Sequence, residues 1–282
     1  MRSIVTTHTV TSADGTRIAF SATGPADAPV VISVDGATMF RAMDFSGGEV
    51  GRQLGRAFRF VTYDRRGRGE SGDTPPYAVE REIEDIAALI DHLGGRASLF
   101  GVSSGAVLAL RAVKAGLPVD ALACYEPPFV VSSDREPVAP DYVERLDRAV
   151  ADGRPGDAVR LLMTEAALTP ASVVDSMVEQ PFWPALEGIG HTVAYDGRIM
   201  GDTMRGRPEA LDVFRDVETP TLVLRGGASD TWMAKAAEEL AERLPNATVE
   251  LLPGQTHQVD PSELAAALLR YLSSALTDPT PA

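Results

Sequence analysis

The sequence predicts an α/β protein, a mostly parallel doubly wound sheet that carries an inserted run of helices. Three observations predict it. Short continuous apolar runs, Val30–Val34 (VVISV) and Phe58–Tyr63 (FRFVTY) among them, stop at turns rich in Gly and charged residues, as strands buried on both faces do. Helical stretches separate these runs, and strand–helix alternation requires crossovers that cover both faces of a parallel sheet. From about Phe129 to Phe214 the strand pattern stops, and helical patches broken by Pro and Gly replace it. The expected organisation is a core of residues 1–128 and 215–282 around a helical cap insertion at 129–214.

Taken in order, residues 3–23 alternate polar and apolar about Ala13-Asp14-Gly15, the pattern of a β-hairpin at a sheet edge. Val30–Val34 ends at Asp35-Gly36, and Phe58–Tyr63 runs into the Gly-rich loop from Asp64 to Gly72. Val79, Ile83, Ile86, Leu89, Ile90 and Leu93 then recur at helical spacing until Gly94-Gly95 ends the helix. A strand over Ala97–Phe100 meets Gly101-Val102-Ser103-Ser104-Gly105, followed by an Ala/Leu-rich helix that Gly116-Leu117-Pro118 closes. A short strand, Ala121–Tyr125, ends at Glu126-Pro127-Pro128, where the prolines are expected to hold Glu126 extended. Beyond the insertion, strands at Pro220–Arg225 and Ala247–Leu252 flank a helix at Thr231–Leu244. The last helix starts with Asp260 as N-cap and Pro261 at its first position, and Asp278–Ala282 reads as a frayed tail.

Charge and cysteine content exclude several classes of function. A formal net charge of −14 opposes nucleic acid and anionic membrane surfaces. Cys124 is the one cysteine, so no intrachain disulfide forms, and no residues have zinc-site spacing. The opening MRSIVTTHTV lacks the apolar core of a signal peptide, and no apolar run approaches a membrane span. These features predict a soluble cytoplasmic protein without a zinc site, with homo-oligomerisation left open.

Gly101–Gly105 is G-x-S-x-G between a strand and a helix, the nucleophile-elbow pattern. Its tight turn pushes the central serine outward, and glycines give the room a Cβ would take. Three further features stand in order around it: Val34-Asp35-Gly36-Ala37 after a strand, DRRGRGES from Asp64, and Gly254-Gln255-Thr256-His257 after the last strand. With this ordered set the chain resembles the α/β-hydrolase superfamily over nearly its full length. The resemblance implies the α/β-hydrolase fold, with Ser103 as nucleophile and His257 as its base. His8, in the hairpin, and His92, ending a helix, are poorly placed for that role. Ser104 and Ala37 would give the backbone N–H groups of the oxyanion hole.

Two carboxylates compete for the third catalytic position. Asp230, in Gly227-Ala228-Ser229-Asp230 after a core strand, is the first candidate, although Ser229 falls at the usual position when counted from the strand start. An aspartate just before a helix is also a natural N-cap. Glu126 is the second candidate, because some members of the superfamily carry the acid at the end of this strand. Asp35 departs from the family pattern by replacing a histidine. Arg65–Gly69 has the materials of a phosphate cradle but not its spacing, and reads as a structural turn. Phe40, Phe129, Trp183 and Trp232, with Met39, Phe182 and Tyr195, are expected to line an apolar pocket, with His191 touching substrate. The implied activity is a serine hydrolase cleaving an ester, lactone or related acyl bond of a small, largely apolar molecule, with no metal or organic cofactor required. The alternatives are a lyase, cyclase or cofactor-free haloperoxidase on the same scaffold, or a silent ligand-binding protein.

Overall fold

A computed structural model describes residues 6–43 and 46–277. Its strands are β1 (His8–Thr11), β2 (Arg17–Thr23), β3 (Val30–Val34), β4 (Arg59–Tyr63), β5 (Ala97–Val102), β6 (Val119–Tyr125), β7 (Thr221–Gly226) and β8 (Ala247–Leu252). They form one sheet in the order β1-β2-β4-β3-β5-β6-β7-β8. The β1–β2 hairpin is antiparallel, β2 pairs antiparallel with β4, and every later pairing is parallel. The expected hairpin start at residues 3–5 and the tail at 278–282 lie outside the described residues.

The helices are α1 (Gly51–Leu54), α2 (Val79–His92), α3 (Ser104–Lys114), α4 (Tyr142–Ala151), α5 (Pro155–Leu161), α6 (Ala171–Val178), α7 (Trp183–Gly188), α8 (Val193–Met200), α9 (Thr231–Arg243) and α10 (Pro261–Thr277). Successive strand residues point to opposite faces, so each central strand feeds two cores. Ile32, Leu99, Leu122 and Val223 pack with α2, α3 and α9, while Val31, Phe100, Ala123 and Leu224 pack with α1 and α10. This two-sided burial explains why the strands read as continuous apolar runs. The Asp260 side chain accepts from the Ser262 N–H at 2.8 Å, which caps the last helix as expected. The turn before α1 and α1 itself were not legible, because Ser46–Leu54 is Gly-rich and offers only Val50 and Leu54 to the core.

Between β6 and β7 no strand forms; an irregular stretch, residues 126–141, leads into α4 to α8, with a π-helical segment at Leu162–Ala166 and short 3-10 turns. The crossover loops leave the C-terminal strand ends on one edge of the sheet, the usual place for a ligand site in open α/β sheets. Three of the four non-glycine residues with positive φ among the described residues stand at those ends: Thr38 (φ 62°), Ser103 (φ 56°) and Glu126 (φ 44°). Backbone strain of this kind persists only where surrounding structure fixes it.

Candidate active site

Ser103 joins β5 to α3 at φ 56° and ψ −128°, and its N–H donates to the Tyr125 carbonyl at 2.9 Å. The turn closes because its flanking residues lack side chains. A Cβ on Gly101 would lie 2.5 Å from Ala106 Cα, and one on Gly105 would lie 2.1 Å from the Val34 carbonyl oxygen. Both neighbours are backbone and have nowhere to go. Gly105→Ala is therefore expected to cost about 3 kcal/mol or more in urea unfolding. A wild-type midpoint in that variant would refute this account of the elbow.

The imidazole of His257 follows β8 in a loop held on two sides. The Tyr125 hydroxyl donates to the Thr256 carbonyl at 2.5 Å, and the Ala228 N–H donates to the Gln255 carbonyl at 2.8 Å. His257 Nδ1 lies 2.9 Å from Glu126 Oε2. The other oxygen of that carboxylate accepts the Gly226 N–H at 2.8 Å. Burial pushes the Glu126 carboxyl up, but the His257 contact and the Gly226 N–H contribute to the opposing effect, which holds it below the usual carboxylate range. Glu126 is fully buried, whereas His257 keeps one edge open.

Of the two acid candidates, the structure brings Glu126 and not Asp230 against the imidazole. Asp230 precedes α9 as its N-cap residue, is exposed, and makes no capping bond with its side chain. It lines the site cavity, but Nδ1 of His257 is engaged by Glu126. The expectation that Pro127-Pro128 hold Glu126 extended is also corrected, since its φ is positive. The Glu126 N–H bond to the Leu224 carbonyl at 3.0 Å, with the bonds to its carboxylate, outweighs the local preference set by proline.

Ala37 and Ser104 both line the cavity beside Ser103. Ser104 is the first residue of α3, so its N–H has no acceptor within the helix. Asp35, in the position of the family's histidine, is buried and outside the cavity lining, and its carboxylate accepts from Ser33 Oγ at 3.3 Å. The loop after β4 is structural, as expected. Asp64 accepts from the N–H groups of Arg41 and Glu70, and Arg66 grips Asp85 with two bonds at 2.7 and 2.9 Å. Arg65, Arg66 and Arg68 are all buried.

The cavity holds about 320 Å³. Its wall is mostly apolar, with Leu162, Met200, Met204, Trp232 and Met233 facing the serine and histidine. Of the aromatic residues expected there, only Trp232 takes part. Phe129 is buried against Phe214, and Trp183 is buried inside the insertion with Arg160 above its ring. Phe40 sits half-buried beyond the cavity wall, as does Met39, while Phe182 is exposed. His191 lies outside as well, 3.5 Å from Asp73, which also accepts from the Tyr195 hydroxyl at 2.8 Å. Most of the expected aromatics thus serve packing, and Trp232 shares the wall with flexible methionines. Tyr142 and Asp196, both cavity residues from the insertion, carry no sequence signal beyond the buried face of an amphipathic helix. No group of His, Cys, Asp or Glu among the described residues is arranged to hold a metal ion, and no helix there is long and apolar enough to cross a membrane.

Known proteins share this arrangement of chain. An α/β hydrolase from Sphaerobacter thermophilus DSM 20745 superposes with a TM-score of 0.85 at 47% identity, over 94% of this chain and 100% of that one. A candidate carbamate hydrolase, RutD of Caulobacter sp. (strain K31), is 32% identical over 246 residues, 77% of this chain and 81% of its own. The 2-(acetamidomethylene)succinate hydrolase of Mesorhizobium japonicum is 29% identical over 225 residues, 74% of this chain and 75% of its own. The model of the alpha/beta hydrolase family matches residues 33–268. Because that match spans every strand and loop that places Ser103, Glu126 and His257, this chain belongs to the alpha/beta hydrolase family.

Proposed function

We propose that the protein is a serine hydrolase that cleaves an ester, lactone or related acyl bond of a small, largely apolar molecule. The observation that carries this reading is the 2.9 Å contact between His257 Nδ1 and Glu126, on a cavity wall shared with Ser103. A serine hydroxyl is a weak nucleophile at neutral pH and needs a base. With Nδ1–H donating to Glu126, the other nitrogen of His257 is the basic one and takes the proton as Ser103 Oγ attacks the carbonyl carbon. The Glu126 carboxylate then stabilises the imidazolium. N–H groups of Ala37 and Ser104 receive the charge that develops on the carbonyl oxygen. The imidazolium protonates the leaving group, and a water activated by His257 hydrolyses the acyl-enzyme.

Residues 129–214 serve as the cap in this reading, supplying Tyr142, Leu162, Met200 and Met204 to a site whose chemistry comes from the core at 1–128 and 215–282. Two relatives are named for carbamate and acetamido compounds, which extends the related acyl bonds to C–N bonds. The placement of Asp35 outside the cavity lining supports hydrolysis over lyase chemistry, since a carboxylate facing the oxyanion was the reason to consider the latter. A buried lone cysteine fits action in the cytoplasm.

A fluorophosphonate probe tests the activated serine directly. Wild type is expected to label, and folded Ser103→Ala and His257→Ala proteins are expected not to. Failure of folded wild type to label would overturn the proposal.

A further inference from the structure

Asp196 of α8 is the most heavily engaged side chain at the site, and the catalytic sequence above gives it no task. It is 2% exposed. Its Oδ1 accepts from Ser104 Oγ at 2.7 Å and from Arg65 Nη1 at 2.7 Å, and its Oδ2 accepts from Arg68 Nη2 at 2.6 Å. Both arginines continue into the loop after β3. Arg65 Nη1 donates to the Asp35 carbonyl at 3.2 Å, while Arg68 Nη1 donates to the carbonyls of Gly36 at 2.7 Å and Met39 at 3.3 Å. Arg65 is held from behind by Glu82 through two bonds, at 2.7 and 2.8 Å, and Arg68 Nε donates to Thr192 Oγ1 at 3.1 Å.

Peptide planarity gives these bonds a direction. The Gly36 carbonyl and the Ala37 N–H belong to one trans peptide unit, so they point to opposite sides. A guanidinium that holds the carbonyl therefore fixes where the N–H aims, and a charged donor on the oxygen also polarises that N–H. The second peptide is held in the same way. The Ser103 carbonyl accepts the Ala106 N–H at 3.0 Å, and the Ser104 side chain is tied to Asp196, so the Ser104 N–H has little freedom.

We propose that Asp196 is a positioning residue of the oxyanion hole. Its one carboxylate holds Ser104 and, through Arg65 and Arg68, the loop of Ala37, and it locks both to the helical insertion. The inference rests on the reading of Ala37 and Ser104 as oxyanion donors. It adds that the insertion is a working part of that hole as well as a roof over the substrate. Burial of a carboxylate is tolerated here because two cations face it, and they hold Asp196 below the usual carboxylate range against the effect of burial.

The test compares Asp196→Asn and Ser104→Ala with wild type, using an alkyl boronic acid as a tetrahedral mimic and the alcohol of the same chain length as a ground-state ligand. Asp196→Asn is expected to lower kcat on a p-nitrophenyl ester by about 100-fold, with KM changed less than about threefold. Boronate affinity should fall by more than about tenfold while alcohol affinity stays within about twofold. Ser104→Ala removes one bond of the network and keeps the backbone N–H, so it decides the matter if Asp196→Asn does not fold; its expected loss of boronate affinity is about fivefold. Folded variants with wild-type boronate affinity and kcat, whatever their melting temperature, would show a plain structural clamp and overturn the proposal. If wild type engages neither boronate nor fluorophosphonate, the acyl-transfer reading itself fails, and this inference with it.

Discussion

Glu126→Gln is expected to lower kcat by about three orders of magnitude, while Asp230→Asn stays within about threefold of wild type. The size of the first effect follows from which way the new amide must face. The Gly226 N–H needs an acceptor where Glu126 Oε1 now sits, so the amide oxygen takes that place and the NH₂ turns toward His257 Nδ1. An NH₂ donor facing Nδ1 favours the tautomer that carries its proton on Nε2. That nitrogen can no longer take the proton of Ser103. The substitution is nearly isosteric, so loss of activity in a protein of wild-type stability isolates the tautomer. Asp230, exposed at the start of α9, orients nothing on the imidazole, and its removal is a change in cavity charge alone. Steady-state kinetics with the rate of fluorophosphonate labelling reads both variants. A Glu126→Gln enzyme above a tenth of wild-type kcat, or a collapse in Asp230→Asn, would return the role to Asp230.

The placement of Glu126 rather than Asp230 against His257 shows what a sequence carries. The strands, the elbow and the last helix were legible because each has a local cause: two-sided burial for the strands, missing Cβ atoms for Gly101 and Gly105, a capping carboxylate for α10. Ser103 and His257 are legible as candidates because each stands next to such a landmark. The acid is a different problem, since two strands end side by side at the same edge and either can present a carboxylate to one imidazole. The pairing of β6 with β7, and the Gly226 N–H it delivers to Glu126, is a long-range fact that no spacing encodes. The cavity wall was illegible for a related reason. Phe129 and Trp183 differ from Trp232 only in which way the packed chain around them turns their rings. The insertion has no periodic landmark that ties it to the core, so the part played by Asp196 appears only when Arg65, Arg68 and Ser104 converge on it.

That convergence makes Arg65→Met the largest expected loss of stability, about 3–5 kcal/mol at pH 7. Arg65 is 1% exposed and donates to Glu82, Asp196 and the Asp35 carbonyl. Methionine fills much of its volume, so the loss reports buried carboxylates left short of a cation rather than an empty cavity. The pH dependence separates the two causes. In wild type Asp196 titrates below its unfolded value of about 4, so its contribution is complete above that pH and is lost only as pH falls through the lower, folded value. Without Arg65 the folded Asp196 value rises, and a carboxyl that holds its proton more tightly folded than unfolded is relieved by acid. The difference in unfolding free energy between wild type and Arg65→Met should therefore be widest at pH 7–8 and narrow toward pH 5. Urea unfolding across that range measures it. A difference that is small, or large but independent of pH, would mean that the buried arginines hold this site by shape and not by charge.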